Sequence, residues 1–193
     1  MRLFLVGAAL ALAACNPSAQ PGAEAPVAEV ANVSGPNNCP ATASTQWRAG
    51  GQTITIDASA QGADCASAQA SLVFRGANGA ELYAETFEVS QVMVLAAPDS
   101  VDDLQRRLNE WISPPGAARD STDDLPVWEA NAQSPVSGEF PFYPEEGLDR
   151  AAYTALRAAD APMFCFVQGM ESEACLTVQG GSLRKVGVQT FPG

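Results

Sequence analysis

The chain has 193 residues, of which 10 are Lys or Arg and 22 are Asp or Glu, so its formal net charge is −12. This balance argues against nucleic acid as a partner, because the phosphates would be repelled rather than neutralised. The chain contains no histidine. Ser-His-Asp and Cys-His catalysis are therefore excluded.

The N-terminus carries the clearest targeting information in the chain. Met1 and Arg2 give a positive start, residues 3–13 form an uninterrupted apolar run, and Ala14 leads into Cys15. This layout is typical of a secretory signal that ends at a cleavage site. Because a helix needs about 20 apolar residues to span a bilayer, we expect no permanent transmembrane helix here.

The tetrapeptide Leu12-Ala-Ala-Cys15 matches all four positions of the lipobox, and the segment resembles the signal of bacterial lipoproteins. The resemblance implies that residues 1–14 are a signal peptide and that Cys15 becomes the lipidated first residue of the mature protein. Two or more acyl chains give stable membrane anchoring. The best-known inner-membrane retention signal has Asp where this chain has Asn16, so the periplasmic face of the outer membrane is favoured. A plain secretory signal is the alternative.

The next segment, residues 15–38, has the composition of a flexible tether. Pro, Ala, Gly, Ser and Asn dominate it, and Glu24 and Glu29 are its only charged residues. Such a stretch buries too little apolar surface to offset the entropy lost on ordering. Residues 39–193 then have the length of a single domain. Signal cleavage removes Arg2 and changes the net charge from −12 to −13, which would attract a basic protein partner or divalent cations; an acidic surface that only keeps the protein in solution is the alternative.

Four cysteines remain once Cys15 is lipidated, an even number in an oxidising compartment. We expect the disulfides Cys39–Cys65 and Cys165–Cys175, because each pair joins neighbouring segments of the chain. In the loop-entropy model the shorter loop contributes roughly 3 kcal/mol. A zinc site is the alternative, but the ligand spacing is not close and histidine is absent. The sequence therefore predicts no metal and no cofactor.

Strand patterns occupy both ends of the folded part. In the N-terminal half, alternating apolar and polar side chains and a turn rich in Gly and Asn predict an antiparallel meander. Its predicted strands are residues 52–60, 70–75, 80–89 and 91–96. In the C-terminal half the predicted strands are residues 163–167, 174–178 and 183–191.

Two helical patterns lie between these groups of strands. Residues 100–112 place their apolar side chains on one face, with Ser100 as N-cap. Residues 148–159 form a weaker pattern. Its predicted inward side chains are Leu148, Ala152, Ala155 and Leu156. The order of elements predicts an α+β fold, an antiparallel sheet with two helices inserted between N- and C-terminal strands.

Three groups of polar side chains resemble catalytic or metal-binding sets. Ser182-Leu-Arg-Lys185 has S-x-x-K spacing, but in a strand its Ser and Lys face opposite sides, and the companion motifs are absent. Residues 120–124 offer oxygen ligands for calcium without the spacing or glycine of the twelve-residue loop. Glu145 and Glu146 beside Asp149 could be paired carboxylates of a glycosidase. The helix dipole already explains acids at a helix start, so we expect no catalytic residue.

The connection between the helices, residues 113–147, is long for a segment without regular structure, and such loops are usually functional or disordered. Aromatic side chains on a proline-rich backbone make good binding anchors. The candidate partner-binding residues are Trp128, Phe140, Phe142 and Tyr143. Alternatively, these aromatics fold back and cover the sheet.

These observations predict a membrane-tethered periplasmic lipoprotein with a non-catalytic binding or envelope-accessory role. Its expected contacts are the membrane, through the lipid anchor, and a basic protein or another envelope component. Nucleic acid is not among them. Two alternatives stay open. One is an inhibitor of a basic lytic enzyme such as lysozyme, and the other is a carboxylate-dependent cell-wall hydrolase.

Overall fold

The computed structural model describes residues 38–114 and 116–192 of the chain. The predicted signal peptide, the lipidation site Cys15 and nearly all of the predicted tether lie outside the described residues. None of the helices formed within residues 38–114 and 116–192 has the length and apolar character that a membrane crossing requires.

The first sheet is a four-stranded antiparallel meander. Its strands, neighbours in space as in sequence, are β1 (Ala41–Ala49), β2 (Gln52–Gln61), β3 (Gln69–Arg75) and β4 (Glu81–Glu88). The alternating pattern buries one face, on which Ile54, Ile56 and Phe74 are wholly inaccessible to solvent. The predicted meander is confirmed, and β1 extends it at the N-terminal side. The strand predicted at residues 91–96 is wrong, because a 3₁₀ turn at Val89–Gln91 follows β4.

The second sheet has six antiparallel strands, and its order in space departs from the order in the chain. From one edge to the other they are β5 (Ala117–Ser121), β8 (Pro162–Val167), β9 (Ser172–Gln179), β10 (Ser182–Thr190), β7 (Phe140–Pro144) and β6 (Val136–Ser137). The predicted lack of regular structure in residues 113–147 is therefore wrong, since β5, β6 and β7 all lie there. β7 pairs with β10 through residues 142–144 and with β6 through residues 140–141, so each part of it has one unpaired side, which accommodates its two prolines.

The two sheets pack against each other through an aromatic core. Phe164 on β8 lies 5.4 Å from Phe74 on β3 and 5.5 Å from Trp47 on β1, measured between ring centroids. Phe166, also on β8, contacts Phe87 on β4 at 6.1 Å. Such edge-on and tilted pairs add to the stabilisation from apolar burial. One core thus joins both sheets.

Helix α1 (Val101–Trp111) closes one side of this core. Its N-cap is Ser100, as predicted, and the Ser100 hydroxyl accepts a hydrogen bond from the Asp103 amide at 3.1 Å. Trp111 is fully buried, and its indole N–H donates to the Val167 carbonyl at 2.6 Å. At the edge of the first sheet, the Gln105 side chain accepts from the Thr42 amide at 3.0 Å and donates to the Thr42 carbonyl.

Helix α2 (Arg150–Ala158) covers the outer face of the second sheet and creates a smaller core there. Tyr153 and Leu156 are its buried side chains, packed with Phe142 and Met163. Ala152 and Ala155 are exposed, so the predicted inward face of this helix is wrong at those positions. The helix packs on the sheet through the face that carries Tyr153, so Ala152 and Ala155 point to solvent.

The α+β class is confirmed, because the described residues form antiparallel sheets together with two helices. Both expected disulfides, Cys39–Cys65 and Cys165–Cys175, are present. The first ties the start of β1 to the turn before β3. The second joins β8 to β9 at positions that are directly paired in the sheet.

Candidate binding site: an acidic pocket beside a disulfide

The outer face of the second sheet brings a carboxylate next to a disulfide. Glu173 and Cys175 are two residues apart on β9, so their side chains lie on the same face. Cys175 pairs in register with Cys165 on β8, and their Cα atoms are 4.0 Å apart. Both cysteines are buried, whereas Glu173 is only partly buried. A carboxylate therefore stands beside an apolar floor that contains the disulfide.

Two further carboxylates approach from the neighbouring edge strand. Asp120 lies on β5 opposite Met163 of β8, and Asp124 ends the 3₁₀ turn Thr122–Asp124. Thr122 fixes this turn: it is fully buried, its amide donates to the Ala161 carbonyl, and its hydroxyl accepts from the Ala161 amide, each at 2.9 Å. The turn is thus anchored to the sheet, which positions Asp124.

Together these residues line a pocket of about 140 Å³, which we call the acidic pocket. Its acidic members are Asp120, Asp124 and Glu173. Its remaining lining residues are Leu125, Pro126, Ser137, Phe142, Met163, Cys165, Cys175 and Gln189. Phe142 of β7 forms part of the pocket wall and packs closely on Gly187 of the neighbouring strand β10. A Cβ atom at Gly187 would come within 2.5 Å of the Phe142 ring. The pocket is small and polar at its rim, with an apolar floor.

Burial and mutual repulsion make Glu173 and Asp120 resist ionisation. Burial raises the pKa of Glu173, and the negative charge of Asp120 raises it further. Burial also raises the pKa of Asp120, with a second contribution from Asp124. Within the part of the chain that the structure describes, the ion pairs formed by side chains do not include any of these three residues. The pocket therefore favours a proton or a cation.

Replacing Glu173 by glutamine is expected to stabilise the protein at neutral pH. The pKa of Glu173 is higher in the folded state than in the unfolded state. The protonated carboxyl group therefore favours folding below its ordinary pKa, and this stabilisation is lost as pH rises through the raised pKa. Glu173→Gln removes that penalty and should raise Tm by about 2 °C at pH 7.5. The gain should vanish near pH 4. Thermal denaturation across this pH range checks it, with exposed Glu171→Gln on the same hairpin as the control. A lower Tm for Glu173→Gln at pH 7.5 would contradict the expectation.

Side chains of α2 hold the segment that borders the acidic pocket. The Arg157 guanidinium donates to the carbonyls of Leu125 and Asp123 at 2.6 and 2.8 Å. The Tyr153 hydroxyl donates to the Pro126 carbonyl at 2.7 Å. Carbonyl groups that lack strand partners are thereby satisfied. These hydrogen bonds hold the segment at the border of the pocket in place.

The four aromatic residues predicted to bind a partner have different surroundings. Phe142 is only 1% exposed and belongs to the core beneath α2, so it has no surface to offer a partner. Trp128 is partly buried, lies edge-on to Tyr153 at 5.6 Å and is covered by the Arg150 guanidinium at 5.3 Å. Phe140 is partly buried as well.

Tyr143 is the most accessible of the four, at 53% exposed. It follows Phe142 on β7, and alternation along the strand directs its side chain away from the core. The alternative that the aromatics fold back on the sheet therefore describes Phe142 and, in part, Trp128. Tyr143 stays a candidate contact residue.

The other polar groups are placed apart from this pocket. Ser182 and Lys185 lie on β10, with Ser182 exposed and the Lys185 ammonium donating to the Gln168 side chain at 3.2 Å. Glu145 and Glu146 line a separate pocket of about 230 Å³. Asp149 instead caps α2, accepting from the Ala152 amide at 2.8 Å. Because Ser182 and Lys185 lie on a strand, their side chains face opposite sides, as the sequence predicted, and they do not form a catalytic pair.

Of the acidic stretch 120–124, the structure brings only Asp120 and Asp124 to the acidic pocket. The third carboxylate, Glu173, was missed by sequence reasoning, because the pairing of β5 with β8 and of β8 with β9 brings it there across some fifty residues of chain. Its position two residues before Cys175, in a strand otherwise buried, is the one signal that could have indicated it.

Comparison of the chain with protein-family models, with curated proteins and with solved structures found no match.

Proposed function

We propose that this protein is a lipid-anchored protein of the bacterial envelope whose folded part binds a basic partner. The acidic pocket receives a Lys or Arg side chain of that partner. The lipobox supports anchoring through Cys15 at the periplasmic face of the outer membrane. The role is binding or envelope support rather than catalysis.

One observation carries the proposal of a basic partner. Three carboxylates line one pocket, partial burial disfavours the ionisation of Glu173 and Asp120, and the ion pairs of the described side chains include none of the three. An ammonium or guanidinium group entering the pocket would relieve their repulsion. Charge-assisted hydrogen bonds to carboxylates are stronger than neutral ones. The net charge of −12 would also attract such a partner from a distance.

The partner class that fits best is a basic lytic enzyme such as lysozyme, which the protein would inhibit. Tyr143 is close in sequence to pocket residue Phe142 and is available for contact. Inhibition would follow if the pocket captures a basic side chain at the enzyme's own active cleft.

Neutralising the acidic pocket is expected to weaken this binding. The double variant Asp120→Asn/Glu173→Gln should raise the Kd for lysozyme at least roughly tenfold, since loss of charge pairing in the pocket costs about 1.4 kcal/mol or more. Glu145→Gln/Glu146→Gln changes the net charge equally at another pocket and should alter the Kd about twofold at most. Binding is measured by calorimetry on the oxidised protein, with lysis of cell-wall substrate as the second readout. Equal effects of the two double variants would reject the pocket as the binding site.

A carboxylate-dependent hydrolase is the second candidate, and we propose Glu173 and Asp120 as its carboxylates. Asp149 caps α2 and is not among the residues that line the pocket of Glu145 and Glu146, whereas Glu173 and Asp120 share a pocket and have raised pKa values. A raised pKa is what a general acid requires. Release of muropeptides by the wild type that disappears in Glu173→Gln would favour this candidate over the binding role. Release that persists in the variant would reject Glu173 as the catalytic group, and the absence of release by the wild type would reject the hydrolase.

A further inference from the structure

Two cysteines and a glutamate form a close group of side chains that could hold a metal ion. The sulfur atoms of Cys165 and Cys175 and a carboxylate oxygen of Glu173 all lie within 4.8 Å of one another. The three residues come from two paired strands, so the sheet itself fixes their spacing. In the oxidised protein the sulfurs are joined as a disulfide and cannot act as thiolate ligands.

Reduction would change what this group can bind. A dithiol reductant supplies the two electrons: one of its thiolates attacks a disulfide sulfur, the other cysteine leaves as a thiolate, and the second thiol of the reductant then closes its own disulfide. The products are two cysteine thiols and a cyclic disulfide. A divalent cation that binds them displaces two protons to solvent.

The surroundings suit a thiophilic cation with mixed ligands. Zn²⁺ accepts thiolate sulfur at about 2.3 Å and carboxylate oxygen at about 2.0–2.2 Å, usually with four ligands. Paired strand positions with Cα atoms 4.0 Å apart place both sulfurs within reach of one ion. Asp120 lines the same pocket and offers the fourth ligand or a partner for bound water. The apolar floor, which includes Met163 and Leu125, limits competing water.

We propose that reduction of the Cys165–Cys175 disulfide converts the acidic pocket into a Zn²⁺ site, with the thiolates of Cys165 and Cys175 and the carboxylate of Glu173 as ligands. Charge supports this assignment. Two thiolates beside Glu173 and Asp120 concentrate negative charge that a divalent cation neutralises. The sequence argued against zinc from ligand spacing and the lack of histidine, but register between β8 and β9 supplies the proximity that spacing does not show.

The experiment uses Co²⁺ as a spectroscopic probe and Zn²⁺ as its competitor. The whole protein is treated with a non-thiol phosphine or left oxidised, and Co²⁺ is added under anaerobic conditions. The reduced protein should bind one Co²⁺ per chain with sulfur-to-metal charge-transfer absorption, and Zn²⁺ should displace it. The oxidised protein should show no such absorption. Reduction also opens Cys39–Cys65, so Cys165→Ser/Cys175→Ser is treated in the same way and should lose the signal.

The variant Glu173→Gln tests whether the carboxylate takes part in metal binding or whether the two thiols bind the metal without it. It should weaken Zn²⁺ binding to the reduced protein about tenfold, while Glu171→Gln should leave it unchanged. Affinity in Glu173→Gln equal to that of the wild type overturns the proposal, whether or not the reduced chain stays folded. Retention of the signal in Cys165→Ser/Cys175→Ser overturns it too. Binding of a basic partner is measured on the oxidised protein, so failure of one proposal does not imply failure of the other.

Discussion

Replacing Cys15 by serine is expected to move the protein from the membrane fraction to the soluble periplasmic fraction. A lipobox cysteine carries the acyl chains, and each buried CH₂ group contributes about 0.8 kcal/mol to membrane binding. Without them, the mature chain has only a polar, proline-rich segment at its N-terminus. Fractionation should therefore show a loss of membrane association of at least roughly a hundredfold.

Mass spectrometry of the intact protein provides the matching chemical test. Wild type should begin at Cys15 with the added mass of its lipids, and Cys15→Ser should lack that mass. As a control, Asn16→Asp keeps the cysteine and should remain membrane-bound, with a shift toward the inner membrane. Membrane association of Cys15→Ser at the wild-type level would refute the anchor and leave the plain secretory signal as the better interpretation.

Replacing Phe166 by alanine is expected to produce the largest loss of stability. This ring is fully buried and lies between the sheets, 6.4 Å from Phe74, 6.1 Å from Phe87 and 6.3 Å from Trp111. Phe→Ala substitutions in cores cost about 3–5 kcal/mol through lost burial and the cavity that remains. For a domain of this size, that corresponds to a fall in Tm of roughly 10 °C.

Chemical denaturation of the oxidised protein checks this value. Tyr143→Ala removes an aromatic ring of similar size from an exposed position and should change the free energy of unfolding by no more than about 0.5 kcal/mol. A loss below about 1 kcal/mol for Phe166→Ala would mean that the sheets do not share the aromatic core described above.

Local patterns predicted the elements whose stabilising contacts are close in sequence. The alternation in β2 and the turn between β3 and β4 identify the meander, and Ser100 marks the start of α1 because its cap bond reaches only three residues along the chain. The two disulfides were predictable for the same reason. Each links segments that the chain already brings near one another.

The features that sequence reasoning missed depend on long-range pairing. β5 has the sequence Ala-Ala-Arg-Asp-Ser, which lacks β-branched and aromatic residues, and it becomes a strand through pairing with β8. β7 contains two prolines and forms against β10. Because the acidic pocket lies where these distant segments meet, no local motif could reveal its three carboxylates together.

The Gln105 side chain has a consequence for many anchored copies. Lipid anchors would confine the protein to a thin layer, where neighbouring molecules meet at high effective concentration. Exposed strand edges invite end-to-end joining of sheets into ribbons. The Gln105 amide occupies both backbone groups of Thr42 and so takes the place that a neighbour's strand would claim on β1. If the copies are anchored in this way, the bond would hinder the joining of β1 edges at Thr42.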